Sequence, residues 1–158
     1  MIRNYENMAK LPVYNIEFHG YKLDKDVEKL PTYSGIYMIY RCIYNAATDR
    51  VTLKELFYIG KATNLHDEVN YHKYRKEFLK QAQPGEEICY AYAEVSRVQY
   101  DVVENALIFM QKPRLNEVLR DNYKHQDAEF HFSGECDKLG CKNFQIADEV
   151  IIPLQQQK

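Results

Sequence analysis

The chain contains no tryptophan, and nowhere is it apolar for the length of a signal-peptide core or a membrane span. The second absence excludes a helical membrane protein. The opening Met1-Ile2-Arg3-Asn4-Tyr5 also lacks the charged-then-apolar order of an export signal, so the expected compartment is the cytoplasm. A basic excess is missing as well. Lys and Arg number 21 against 23 Asp and Glu, leaving a net charge of −2 and a pI near 6.2. That balance excludes a protein that coats nucleic acid through bulk charge, but it leaves room for an enzyme with a local basic cleft. There is no Cys-x-x-Cys. In a cytosolic chain Cys42, Cys89, Cys136 and Cys141 are expected as free thiols. The Cys136-x4-Cys141 spacing beside His125 and His131 is not that of a structural zinc site.

What is present is 158 residues of ordinary globular composition, 46% hydrophobic and 28% charged, with fourteen tyrosines. One domain is expected. Its anticipated parts are a core over about 33–117, an N-terminal strand and helix cap over 10–31, and a C-terminal extension over 118–158. In the cap, Val13 to Phe18 alternates like a strand, Gly20 marks a turn, and Asp24 opens a short helix stopped by Pro31. Two runs rich in Ile, Tyr and Phe, Gly35 to Tyr40 and Leu56 to Lys61, flank the turn-like segment from Asn45 to Arg50 and predict an antiparallel hairpin. A long helix is predicted from an Asn64 cap to about residue 82, ended by Pro84-Gly85, with Leu65, Val69, His72 and Leu79 on one stripe. Glu87 to Val95 alternates as a third strand. Tyr100 to about residue 112 returns to helical spacing until Pro113, and Phe130 to Phe132, Phe144 to Ile146 and Val150 to Ile152 read as strand pieces. The resulting expectation is an α+β fold: a small antiparallel sheet of three core strands flanked by helices, with additions at both ends.

Each of the hairpin's runs pairs a glycine with a tyrosine. Strand glycines mark bends or places where another backbone or a ligand comes close. Gly35-Ile36-Tyr37 and Tyr58-Ile59-Gly60, followed by Glu104-Asn105-Ala106-Leu107-Ile108 and Pro113-Arg114-Leu115-Asn116, resemble the GIY-YIG nuclease family. The family includes homing endonucleases, restriction enzymes and the incision subunit of bacterial excision repair. The likeness spans about residues 33–117.

The resemblance implies hydrolysis of DNA phosphodiesters, duplex or branched, with one divalent ion, Mg²⁺ or Mn²⁺. It makes Tyr58 the acceptor of the water proton, Tyr37 its orienting neighbour, His72 a second hydrogen-bonding or proton-transfer group, Glu104 the metal ligand and Asn116 the closing residue that positions the Glu104 region. A phenol's ordinary pKa near 10 calls for a nearby cation, and Lys61 is the local source. Gly60 is expected beside the substrate. Taken singly, these residues also read as packed tyrosines, a helix-face carboxylate and a satisfied histidine, and the basic clusters, Lys73, Arg75, Lys76 and Lys80 on one segment and Lys112 with Arg114 on another, read first as a solvated helix face. One position departs from the family. Glu68 stands where the family carries the arginine that clamps the phosphate, reversing the charge. Arg75 farther along the same helix is a candidate replacement, and Glu68 is otherwise a candidate ligand for a second metal. Two readings follow, a metal-dependent endonuclease with an atypical clamp, and a catalytically impaired module that binds nucleic acid or a protein.

Overall fold

The computed structural model describes residues 10–155. The opening Met1 to Tyr5 and the terminal Gln156-Gln157-Lys158, expected to fray, lie outside the described residues. In chain order the strands are β1 (Val13–Leu23), β2 (Gly35–Asn45), β3 (Arg50–Ala62), β4 (Glu87–Glu94), β5 (Ala128–Gly134), β6 (Asn143–Ala147) and β7 (Val150–Pro153). The helices are α1 (Leu65–Asn70), α2 (Arg75–Leu79) and α3 (Tyr100–Gln111), with a 3-10 helix at Asp24–Lys29. No helix among the described residues is long and apolar enough to cross a membrane.

The expected small three-stranded sheet flanked by helices is overturned. All seven strands form one mixed sheet, curled into a half-barrel, in the order β3-β2-β4-β1-β5-β6-β7. Strand β1 is therefore no peripheral cap. It runs on through Gly20, where a turn was expected, pairs antiparallel with β4 across an irregularity between His19 and Lys22, and pairs parallel with β5 from Val13 opposite Glu129 to Phe18 opposite Gly134. Local alternation cannot announce a parallel partner more than a hundred residues away, which is why the strand pieces were visible and the sheet was not.

The hairpin occupies one end of the sheet, with Tyr37 opposite Gly60 and Ile39 opposite Tyr58. From Gly35 to Tyr40 strand β2 is buried throughout. Ile36, Met38 and Tyr40 join the core that holds Val103 and Leu107 of α3, while Tyr37 and Ile39 join a second core with Val27, Leu65, Val69 and Phe78. Burial on both faces accounts for a nearly continuous apolar run.

The long helix expected over 64–82 is two short ones. Asn64 caps α1 by accepting the Asp67 amide, as predicted, but α1 stops at Asn70. The amide of Tyr74 donates to His72 Nδ1, and Arg75 donates to the Asn70 carbonyl, so side chains take backbone groups that a continuous helix needs. Asn, Tyr and His are also weak helix formers. The break turns Phe78 inward in place of Leu79, which is 37% exposed.

Two glycines are required by close approach. A Cβ on Gly35 would lie 2.0 Å from the Ala93 carbonyl oxygen, and one on Gly60 would lie 2.4 Å from the Tyr37 ring and hydroxyl. Gly60→Ala is expected to cost about 1–3 kcal/mol by displacing that ring. Gly35→Ala is expected to cost more, because the obstructing group is central-strand backbone. Urea denaturation of both variants checks the order, and an unchanged midpoint for Gly35→Ala would refute the packing account.

Candidate functional site

Strand β3 is an edge strand, so its outward N–H and C=O groups need partners from outside the sheet. They find them in the segment after α3 and in α3 itself. Leu115 N–H donates to Phe57 O. Asn116 takes the Ile59 backbone on both sides, its Oδ1 accepting the N–H at 3.0 Å and its Nδ2 donating to the C=O at 2.8 Å. The Lys61 amide serves the Glu104 carboxylate. One edge thus ties the Tyr58-Ile59-Gly60 run to Glu104 and Asn116. Asn116 is buried and its amide is spent on Ile59, so it positions the strand and does not reach a substrate.

On the β3 face that carries Tyr58, the Tyr37 and Tyr58 rings lie 6.2 Å apart, and His72 meets Tyr58 edge-on at 5.9 Å. Phe78 backs both Tyr58, at 4.6 Å, and His72, at 4.9 Å. Tyr37 Oη donates to Glu68 Oε1 at 3.3 Å, and His72 Nε2 is 3.6 Å from the same oxygen. Because Nδ1 of His72 accepts the Tyr74 amide, a neutral ring carries its proton on Nε2, facing Glu68. His72 is then a donor in this cleft. Burial holds its pKa below the ordinary value.

The charges around Tyr58 differ from the expectation. Lys61 is engaged by Asp101 and lies 4.0 Å from Glu104, with Tyr100 under its ammonium. The phenol's charged neighbours are carboxylates. Burial first, then the charges of Glu104 and Glu68, push the Tyr58 pKa up, with the neighbouring Tyr37 hydroxyl working the other way. Burial and the same two carboxylates hold Tyr37 well above its ordinary value. Glu104 is 13% exposed; its carboxyl is pushed up to about 7 by burial first, with Lys61 pulling it down and Asp101 and Glu68 adding to the rise.

The structure brings Tyr37, Tyr58, Gly60, Glu68 and His72 together on one face, sets Lys61 and Glu104 at the β3 edge near enough for Glu104's charge to act on Tyr58, and holds Arg75 apart. The Arg75 guanidinium is bound by both carboxylate oxygens of Asp24, at 3.1 and 3.0 Å, and Asp24 also accepts from the Tyr90 hydroxyl. It is not free to replace the missing clamp. Sequence reasoning missed Asp101, although its place three residues before Glu104 on a predicted helix puts the two on one face. It also missed Phe78, whose role depends on the helix break. His131 is held by Glu129 and Asn143 at 2.7 Å each.

No family model, no curated protein and no solved structure matches the chain. A separate cavity of about 750 Å³, lined by Lys22, Lys25, Arg50, Asp26, Asp49 and Asp137 among others, shares no candidate residue with the cleft.

Glu104 suits a hard divalent ion. It is a desolvated carboxylate short of positive charge, and Mg²⁺ is commonly held by one or two carboxylates with water and substrate oxygens completing the shell. A protein-only cage is absent among the described residues, where no three His, Cys, Asp or Glu converge for a metal. The raised pKa has a signed consequence. Protonated Glu104 favours the fold at low pH, and that stability is lost as pH rises through about 7. Glu104→Gln, a mimic of the protonated form, is expected to be more stable than the parent by about 1–3 kcal/mol near pH 8, the gap closing by about pH 5. Mg²⁺ is expected to raise the parent's melting temperature near pH 8 and to leave the glutamine variant unchanged. A parent whose melting temperature ignores both pH and Mg²⁺ over that range would sink the assignment.

Proposed function

We propose that the chain is a metal-dependent DNA endonuclease that hydrolyses phosphodiesters in the manner of the GIY-YIG nucleases, and that it works in the cytoplasm with its cysteines reduced. The observation that carries the reading is that Tyr37, Tyr58 and His72 cluster on one face of the hairpin while Glu104, with Lys61 beside it, stands at the β3 edge close enough for its charge to act on Tyr58, although they come from two strands, a helix break and a distant helix.

In this reading Tyr58 receives the proton of the attacking water. Tyr37, whose hydroxyl lies between Tyr58 and Glu68, orients that phenol. His72 presents Nε2–H to the cleft. Lys61, held by Asp101, shields Glu104. A divalent ion held by Glu104 would supply Lewis acidity at the phosphate oxygens and offset the carboxylates that now keep Tyr58 protonated. Asn116 keeps Ile59, and with it Tyr58 and Gly60, at fixed height beside Glu104. Nicking of supercoiled plasmid in Mg²⁺ or Mn²⁺ tests the reading. Tyr58→Phe and Glu104→Gln are each expected to lower the rate by about 10²- to 10³-fold. Undiminished nicking by Tyr58→Phe refutes it.

The alternative, a catalytically impaired binding module, draws on Glu68. Two unit charges about 4 Å apart repel by roughly 4 kcal/mol at an effective dielectric near 20, and Glu68 stands where a phosphate clamp is needed. Glu68→Arg is therefore expected to raise nicking at least about tenfold. If the variant instead abolishes an activity the parent has, Glu68 belongs to the machinery through its bond to Tyr37. If neither cuts and both bind DNA, the module reading stands.

A further inference from the structure

The break between α1 and α2 does more than turn Phe78 inward. It carries Tyr71-His72-Lys73-Tyr74, and the two tyrosines flanking the site histidine are 77% and 50% exposed. Tyr74 lies against His72 with ring centroids 5.8 Å apart and tilted by 42°, and the Lys73 ammonium sits 5.0 Å from the Tyr74 ring. Large exposed rings on a short connection are costly to leave in water and are the residues that interfaces use.

The charge around them has the opposite sign to the chain's. Lys73 in the break, Lys76 on α2 and Lys80 just after it are exposed, with Glu77 among them, and none of the three is paired with a carboxylate among the described residues. The other cations near the cleft are committed. Arg75 is bound to Asp24, Arg114 to Glu55, and Lys112 to the Arg120 carbonyl. Among the described residues, an uncommitted positive face beside the site therefore adjoins the exposed rings.

From this juxtaposition we infer that the Tyr71 to Lys80 surface is a stacking platform for unpaired nucleobases, with the three lysines following the phosphates of a single strand. Aromatic faces with a neighbouring line of cations are how proteins hold single strands without reading sequence, because every base has a face to stack. A duplex hides those faces, so the platform selects single-stranded, flapped or frayed nucleic acid over an intact helix. The inference deepens the nuclease reading and rests on it for one thing, that the bound strand is delivered to Tyr58.

Fluorescence anisotropy tests it with a labelled oligothymidylate of about 15 nucleotides, an oligouridylate of the same length and a matching duplex. The parent is expected to bind the single strands more tightly than the duplex, and the two oligomers separate a DNA source from an RNA one. The Tyr71→Ala/Tyr74→Ala double variant, whose changes are at exposed positions, should keep its melting temperature and lose single-strand affinity about tenfold or more without a change in salt dependence. The Lys73→Gln/Lys76→Gln/Lys80→Gln variant should flatten the slope of log affinity against log salt by about 2. No binding by the parent, tighter binding of the duplex, or full affinity in the tyrosine variant overturns the platform. The two proposals fail separately. Nicking that needs Tyr58 but not Tyr71 and Tyr74, with strand affinity unchanged in their absence, removes the platform and keeps the nuclease. Strand binding that needs the tyrosines, in a parent that never cuts, does the reverse.

Discussion

Strand β2 has no solvent side through its first six residues, and both cores are built on that fact. Even-numbered side chains from Ile36 to Tyr40 pack toward α3, while Tyr37 and Ile39 pack toward α1, α2 and the 3-10 helix. A strand in that position cannot slip. Moving it by one residue would exchange its two faces and put Tyr37 under α3. The two glycines let its neighbours come close enough to lock it. Gly35 admits the Ala93 carbonyl and Gly60 admits the Tyr37 ring, so the tyrosine pair of the cleft is fixed by core packing and not by loops.

The cleft forms at β3 because β3 is where the sheet ends. An open edge leaves alternate backbone groups without partners, and here Leu115, Asn116 and Glu104 meet them in turn at Phe57, Ile59 and Lys61. The same contacts that satisfy the edge carry α3's carboxylate to the tyrosines. Asn116 therefore acts through the strand, and the pattern Pro-x-x-Asn has a structural meaning independent of any reaction: the proline ends the helix and the asparagine closes the edge.

Much of this was legible in the chain. The Gly35 to Lys61 hairpin, the third strand, the helix before Pro113 and the C-terminal strand pieces all announce themselves through local period and turn chemistry. The sheet that unites them does not, since β1 meets β5 only across the length of the fold, and a run that alternates like an added edge strand turned out to be the middle one. The helix break was equally hidden. The apolar spacing from Leu65 to Leu79 suits one helix, and the groups that interrupt it, Asn70, His72 and Arg75, act through hydrogen bonds whose partners include Asp24 and Val27 far upstream. At the site, the residue set was visible by resemblance. Its electrostatics were not, because the charges acting on Tyr58 are those of Glu104 and Glu68, brought near only by the fold, while Lys61 is held by Asp101.

That field separates attraction from chemistry. Glu68 and Glu104 both act on the tyrosines, and the nearby Lys61 is held by Asp101, so the charges around Tyr58 favour cations and disfavour phosphate. The uncommitted lysines stand outside the cleft, along α2 and the break before it. Exposed charges act over roughly a Debye length, about 8–10 Å at physiological salt, which is enough to hold a strand beside the cleft but not to draw it past three carboxylates. On the proposed reading a strand is held on the lysine face, and a divalent ion, which Glu104 would hold, would offset the carboxylates that oppose the phosphate. The same carboxylates that oppose a phosphate would, on that reading, tie activity to a cation, and Glu68 adds to their charge at Tyr58 and Tyr37.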